Sequence, residues 1–400
     1  MKNIFALDFG TTKFCLSSLI YDRKEKDVNL VIRKLAAGGM HRGMVADLAL
    51  AKNNLNLLVR DFEHNFKIDV TEAVVGIAGH HVSHRIVRCE TEIKKNKVDQ
   101  QLCYNLGVVC RSENGHPDRE ILHLLPLSYT VDRMQPTMNP IGFSGHLIRA
   151  EYLLIDADRN YVKDVVSLCN HAGIQVLRLY SESYASAEVS TADEQKELGV
   201  AVIDIGGGTS DGIVYQDGKP TKNLSVGIGG QMMTNDIAVA FNLRLAEAEK
   251  AKKHFGLINR GEVLSVHNMY GKQIELKSSE IYKVLGCRVY ELAELIGAEL
   301  KPFKNRMGAG LILTGGGAQV KGITEFMAKL YQVPVVHTPP HYLSLNEHIK
   351  VKNNEEAENS RYATALGLMK IYLEEQFAPA DSLSLKRPLK QLLNWFKELS

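Results

Sequence analysis

Short apolar runs and longer amphipathic stretches alternate through most of the chain, and they predict its elements in order. Residues 3–7 form an apolar strand that delivers Asp8 to a turn at Gly10, and 14–21 and 28–36 read as the strands that follow. Residues 47–66 carry apolar side chains at helical spacing, with Asp47 where a helix cap is useful, and 73–77 returns to strand. From 84 to about 161 the texture changes. Alternating stretches such as 128–131 and 146–155 surround turns containing proline and glycine, which predicts a small mixed subdomain inserted in the first half. A helix over 161–172, a strand over 176–179 and a helical segment over 184–190 precede a restart at Gly199.

The second half opens with strand residues that deliver Asp204 to the turn Gly206-Gly207-Gly208-Thr209. Helices are predicted over 231–240, 246–255 and 279–303, the last rich in glutamate and leucine at helical spacing. A strand from 310 ends in the turn Gly315-Gly316-Gly317, followed by a helix to Leu330, a strand over 333–336, a polar loop over 350–359 and a helix over 362–374. The two aspartate turns make a weak internal repeat, as expected of two similar α/β domains facing one cleft.

The last amphipathic stretch differs from the others. After Pro388, Leu389, Leu392, Leu393, Phe396 and Leu399 gather on one side of a helix, with Lys390, Asn394, Lys397 and Glu398 opposite and Trp395, the only tryptophan, on the border. With Lys386 and Arg387 this end is locally basic, which suits an anionic bilayer surface; a terminal helix packed on its own domain fits the same pattern. Residues 378–385 read as a tether, and no stretch is long enough to span a bilayer.

Composition bounds the rest. At 400 residues two or more domains are expected, and 45% apolar with 24% charged residues is ordinary for a globular chain. Its 48 basic and 46 acidic residues leave a net charge of +2, so nothing global points to nucleic acid. The six cysteines, Cys15, Cys89, Cys103, Cys110, Cys169 and Cys287, lack zinc-site spacing and are expected mostly as buried thiols in a reducing compartment. The opening residues carry no basic leader, so secretion is not expected.

The chemistry sits in the turns. Backbone N–H groups bared by small residues can hold phosphate oxygens while Asp8 and Asp204 hold a hydrated cation, so two such turns could clamp a nucleoside triphosphate. The Gly315 to Gly317 turn lacks a preceding aspartate, and its bare backbone could lie against a base or sugar. The lysine-containing phosphate loop is absent, and the run after Gly208 returns as a strand rather than opening a helix, unlike a dinucleotide fold. Glu249 and Lys252, three apart on a predicted helix, share a face and read alone as a surface ion pair.

These three turns resemble those of the actin, heat-shock chaperone and sugar-kinase superfamily. Within it the chain resembles the FtsA family of bacterial cell-division proteins, through EILHLLP at 120–126, NPIGFSG at 139–145, residues 203–212, 246–256 and 315–318, and the tail. The resemblance covers nearly the whole chain, and sugar kinases and chaperones share the clamp without this insert or tail. It implies an actin-like two-domain α/β ATPase fold with an inserted small α+β subdomain and a C-terminal amphipathic helix. Residues 1–83 would be the first part of subdomain 1A, 84–162 the insert (1C), and 163–198 the return to 1A with the connecting helix. Residues 199–236 would begin 2A, 237–307 form 2B, 308–360 return to 2A and 361–376 supply the final 1A helix. A linker over 377–386 and a membrane-targeting helix over 387–400 would follow.

By position, the resemblance assigns Asp8, Gly10, Thr11, Thr12 and Lys13 to the first phosphate turn and 204–209 to the second, with Mg²⁺ held through water by Asp8 and Asp204. Glu249, Lys252, Gly315, Gly316, Gly317 and Ala318 would line the nucleoside. Glu182, with Thr209 and Asp211, is the candidate for orienting water, and ATP would be bound with turnover weak or absent. The implied partners are the C-terminal tail of FtsZ, further copies of the chain in filaments, anionic lipid and later division proteins, at the cytoplasmic face of the inner membrane at the septum. Membrane contact falls to Arg387, Leu389, Lys390, Leu392, Leu393, Trp395, Phe396, Lys397 and Leu399. Arg288 and Lys301 are the cations for an acidic peptide, although the family often has an arginine near the start of the long helix, where this chain reads Lys277-Ser278-Ser279-Glu280.

The alternatives are a sugar-kinase-like phosphotransferase, which needs a carboxylate base, and a chaperone-like ATPase, which needs a substrate domain after the clamp. Asp47, Asp99 and Asp156 read as caps or surface groups, and only some two dozen residues follow the last core helix.

Overall fold

A computed structural model describes residues 3–22, 27–94, 96–340 and 359–377. From the N-terminus β1 (Ile4–Phe9), β2 (Lys13–Asp22) and β3 (Asp27–Ala36) form an antiparallel meander. The small hairpin of β4 (Met40–His41) and β5 (Met44–Val45) leads into α1 (Leu48–Phe66), and β6 (Glu72–Ile77) returns parallel to β1. The chain then leaves this sheet for β7 (Val82–Glu92), α2 (Gln100–Glu113), β8 (Arg119–Val131) and β9 (Leu147–Asp158). It comes back through α3 (Arg159–His171) to β10 (Gln175–Ser181), completing a sheet of order β10-β6-β1-β2-β3.

Helix α4 (Glu182–Ser190) and the short α5 (Asp193–Leu198) lead into the second half. There β11 (Val200–Ile205), β12 (Ser210–Gln216) and β13 (Lys219–Val226) repeat the meander. Helices α6 (Gly230–Phe241) and α7 (Leu245–Phe255), the hairpin β14 (Val263–His267) and β15 (Gln273–Lys277), and α8 (Ser278–Leu300) follow. Strand β16 (Gly310–Thr314) joins β11 in parallel, then come α9 (Ile323–Tyr331), β17 (Val335–His337) and finally α10 (Ala363–Phe377). The second sheet runs β13-β12-β11-β16-β17. Both sheets are thus a three-stranded antiparallel meander extended by two parallel strands, and the sequence repeat is a structural one.

Local chemistry explains the boundaries. The Asp47 side chain accepts the Leu50 N–H, the cap expected, and Asp99 caps α2 through Leu102 in the same way. In α8, Ile281, Leu285, Val289, Leu292 and Ile296 recur at helical spacing and are all fully buried. The predicted end at 303 falls in a 3₁₀ turn, Lys301–Arg306, with Pro302 in its first turn. Among the described residues no helix is long and apolar enough to cross a membrane.

The inserted body is the sheet β7-β9-β8 with α2 against it, around a core that includes Val87, Leu106, Tyr129, Ile148 and Leu154. Here the cysteine expectation is corrected. Cys89 of β7 and Cys110 of α2 form a disulfide inside that core, while Cys15, Cys103 and Cys169 are buried thiols and Cys287 is exposed. Asp156 is also not a surface group. It is fully buried, and Arg85, Arg119 and the Ser83 hydroxyl all bond its carboxylate. Held that way its charge is matched by two guanidiniums inside the insert, and with Asp47 and Asp99 acting as caps the phosphotransferase reading has no candidate among the three. Apart from Asn359, the loop over 350–359 lies outside the described residues, as does the amphipathic stretch over 387–400.

Candidate functional site

The hairpins β1–β2 and β11–β12 place their turns against each other at a cavity of about 990 Å³ between the two halves. Within the hairpins Asp8 pairs with Cys15, and Asp204 pairs with Asp211. The two halves therefore carry their aspartates at equivalent strand ends, and Asp211 stands where the first hairpin has a thiol. The turns approach so closely that a Cβ at Gly207 would collide with Thr12, and one at Gly208 with Thr11.

Asp8, Gly10, Thr11, Thr12 and Lys13 line the cavity from the first half, and Asp204, Gly206, Gly207, Gly208, Thr209 and Asp211 line it from the second. Lys13 Nζ bonds Asp8 Oδ2 at 2.9 Å. Burial opposes the lysine charge, but Asp8 beside it holds the Lys13 pKa above the usual value. Thr209 Oγ1 donates to Asp211 Oδ2 at 2.6 Å, and Ser225 Oγ donates to the other oxygen. Burial, opposed by these donors, leaves the Asp211 pKa raised.

Glu182 begins α4 and faces the same cavity. The N-cap position is held by its neighbour Ser181, whose side chain makes no cap bond. Burial first, then Asp8, Asp211 and Asp204, push the Glu182 pKa well up, against the pull of Lys13. Burial likewise pushes Asp204 up to about 7, with Asp211 and Asp8 adding to it and the Thr364 hydroxyl, 3.1 Å away, opposing.

At the other end Lys252 is buried, and its Nζ bonds Glu249 at 2.6 Å, the Gly230 carbonyl at 2.9 Å and Thr234 Oγ1 at 2.8 Å. Burial outweighs the Glu249 charge and lowers the Lys252 pKa. The pair is a fixed piece of cavity wall, not a loose surface bridge. Gly315, Gly316 and Gly317 line the wall beside it. Gly315 has φ +86°, and a Cβ there would fall on the Asp204 carboxylate, so only glycine lets this turn meet the second aspartate. Ala318 lies instead in the second hydrophobic core and is absent from the cavity wall.

Arg288 and Lys301 are remote from the cleft. Arg288 bonds Asp236 at 2.6 and 3.0 Å and Glu291 at 2.5 Å, and Lys301 is exposed just after α8. Lys34, Thr234, Arg361 and Thr364 also line the cavity and were not anticipated. Thr364 lies 160 positions from its partner Asp204, and no local pattern marks such a residue.

The residues present suit a magnesium nucleotide. Carboxyls crowded with too little positive charge to balance them, one raised to about 7, are relieved by a cation. Among the described residues no three His, Cys, Asp or Glu converge on one metal position.

Fold and cleft together define a protein of the actin-like class. A chain of the PilM–PilN type IV pilus biogenesis complex superposes with a TM-score of 0.62 at 18% identity, over 91% of this chain and 97% of that one. MreB5 of Spiroplasma citri bound to ADP gives 0.56 at 14%, over 94% and 97%. In sequence, residues 201–367 match the profile of cell division protein FtsA, and residues 79–156 that of the SHS2 domain inserted in FtsA. Cell division protein FtsA of Neisseria meningitidis serogroup B is 27% identical, over 92% of this chain and 89% of that protein. That of Escherichia coli K12 is 25% identical, over 100% and 97%. The chain belongs to the FtsA family of cell-division proteins.

Proposed function

We propose that the chain binds ATP with Mg²⁺ in the cleft and uses the nucleotide as a switch for self-association on the inner face of the plasma membrane. There it anchors FtsZ filaments through their C-terminal tails at the septum and recruits later division proteins. The observation that carries this reading is the single cavity shared by both aspartate turns, the Glu249–Lys252 pair and the Gly315 turn. Asp8 and Asp204 would hold the hydrated ion, which when bound supplies positive charge between the carboxyls and the phosphates. Lys13 and the backbone of both turns bind phosphate; Glu249, Lys252 and Gly315 to Gly317 bound the nucleoside. Glu182, Thr209 and Asp211 orient water. Turnover of the bound nucleotide is weak or absent.

Calorimetric titration with Mg-ATP tests the assignment. The Asp8→Ala, Asp204→Ala double variant should bind at least about a hundredfold more weakly, the worth of two lost charge-assisted contacts. Undiminished affinity would refute the site.

For FtsZ, Lys301 offers an open cation, whereas Arg288 would have to share its guanidinium with Asp236 and Glu291. The membrane role rests on residues 387–400. Deleting them, or changing Trp395 and Phe396 to glutamate, should abolish co-sedimentation with anionic liposomes at unchanged ATP affinity. Liposome binding by both variants would defeat the membrane role.

A further inference from the structure

A buried histidine of the inserted body bonds the residue just before Glu182. His123 lies on β8, 5% exposed, with its ring stacked on Tyr180 and edge-on to Tyr184. Its Nε2 accepts the backbone N–H of Ser181 at 2.9 Å, which places the ring proton on Nδ1. Burial, with Arg111 nearby, pushes its pKa down to about 3, so the acceptor persists across the physiological range.

The bonds continue beyond Ser181. Its hydroxyl meets the Ser183 hydroxyl at 2.7 Å, and Ser183 Oγ donates to Asn223 Oδ1. Asn223 belongs to β13 of the second half and pairs in register with Ile213, two residues beyond Asp211. Glu182 therefore sits between one residue tied to the insert and another tied to the second half, while its own carboxyl faces Asp8, Asp204 and Asp211. All four polar groups in the series are buried. A displaced insert must either break the bond to Ser181 or carry the start of α4 with it, and an orphaned buried N–H is costly.

We propose that His123 is a positioning residue: by holding the Ser181 N–H it sets Glu182 in the cleft, so that the insert governs how well the site discriminates ATP from ADP. The proposal rests on the nucleotide reading above. Glu182 faces the aspartates at the phosphate end of the cleft, away from Glu249 and Lys252, so its placement bears on the terminal phosphate and leaves the nucleoside contacts alone.

The full-length chain is titrated with Mg-ATP and with Mg-ADP as wild type, His123→Phe and His123→Gln. Phenylalanine keeps the ring packing and removes the acceptor, whereas the glutamine amide oxygen can take the place of Nε2. The ATP-to-ADP affinity ratio should fall about tenfold in His123→Phe with ADP affinity unchanged, and His123→Gln should return it to within about twofold. An unaltered ratio in His123→Phe, an equal loss of both nucleotides, or a glutamine variant as impaired as phenylalanine would overturn the proposal. If His123→Phe does not fold, Ser183→Ala decides. It cuts the link to Asn223 and leaves the histidine in place, the same direction of shift is expected, and a wild-type ratio would overturn the coupling. Absence of ATP binding by the wild type refutes the nucleotide reading itself and is read before the variants are compared.

Discussion

Gly367→Val should cost at least about 3 kcal/mol of folding stability, read as an early or vanished urea transition. Gly367 lies in α10 where that helix crosses α4, and any Cβ there would fall on the Ala185 carbonyl. Both residues are buried, so neither helix can yield without opening the core beneath the cleft. Gly286 in α8 is the control. Beyond the helix's own neighbouring backbone no atom stands within 4 Å of a Cβ built there, and Gly286→Ala should gain roughly 0.5–1 kcal/mol from helix propensity alone. Equal behaviour of the two variants would show that the helix crossing does not require glycine.

Lys196→Met should lose about 3 kcal/mol, because it strands a buried carboxylate. Both Glu188 oxygens accept from Lys196 Nζ at 2.8 Å, and the Tyr215 hydroxyl donates to one of them at 2.7 Å. Burial alone would raise the Glu188 pKa, but Lys196 and Lys370 more than offset it and hold the carboxyl below its usual range. Adding Glu188→Gln to Lys196→Met removes the stranded charge and should recover much of the loss, since the two sites are strongly coupled. Denaturant titration of the single and double variants reads both effects. A single-variant loss under about 1 kcal/mol would mean that Lys370 and Tyr215 suffice for Glu188.

What was legible in the sequence was whatever a short stretch of chain specifies. The aspartate turns could be read because an apolar strand, a carboxylate and small residues lie side by side, and α8 because its buried positions keep one period over many turns. Helix α10 was anticipated at 362–374 and runs Ala363–Phe377, an ordinary shift at helix ends. What escaped depends on distant partners. Cys89 and Cys110 are 21 positions apart with no spacing signature, and their pairing follows from packing α2 on β7. Arg288 looked available to an acidic peptide because Asp236, 52 positions earlier, could not be seen to meet it. Asp156 seemed a surface group until two strands, β7 and β8, brought Ser83, Arg85 and Arg119 around it. Helix α5 is too short to show a period, and in the hairpin β14–β15 the alternation of Ile274 and Leu276 with polar neighbours runs for only five residues.

The position of α10 bears on how the protein is made. The core of the first sheet includes Leu7, Phe14 and Leu16 from the first strands together with Ala365, Leu366, Leu368 and Met369 from α10. The same helix sends Thr364 to Asp204, and its Ala365 carbonyl accepts from Ser17. During synthesis the first domain to leave the ribosome is therefore the last to be finished. Its sheet waits with an apolar face uncovered while the insert and the whole second domain are translated. The interior of that first domain and the floor of the cleft close together, when α10 arrives.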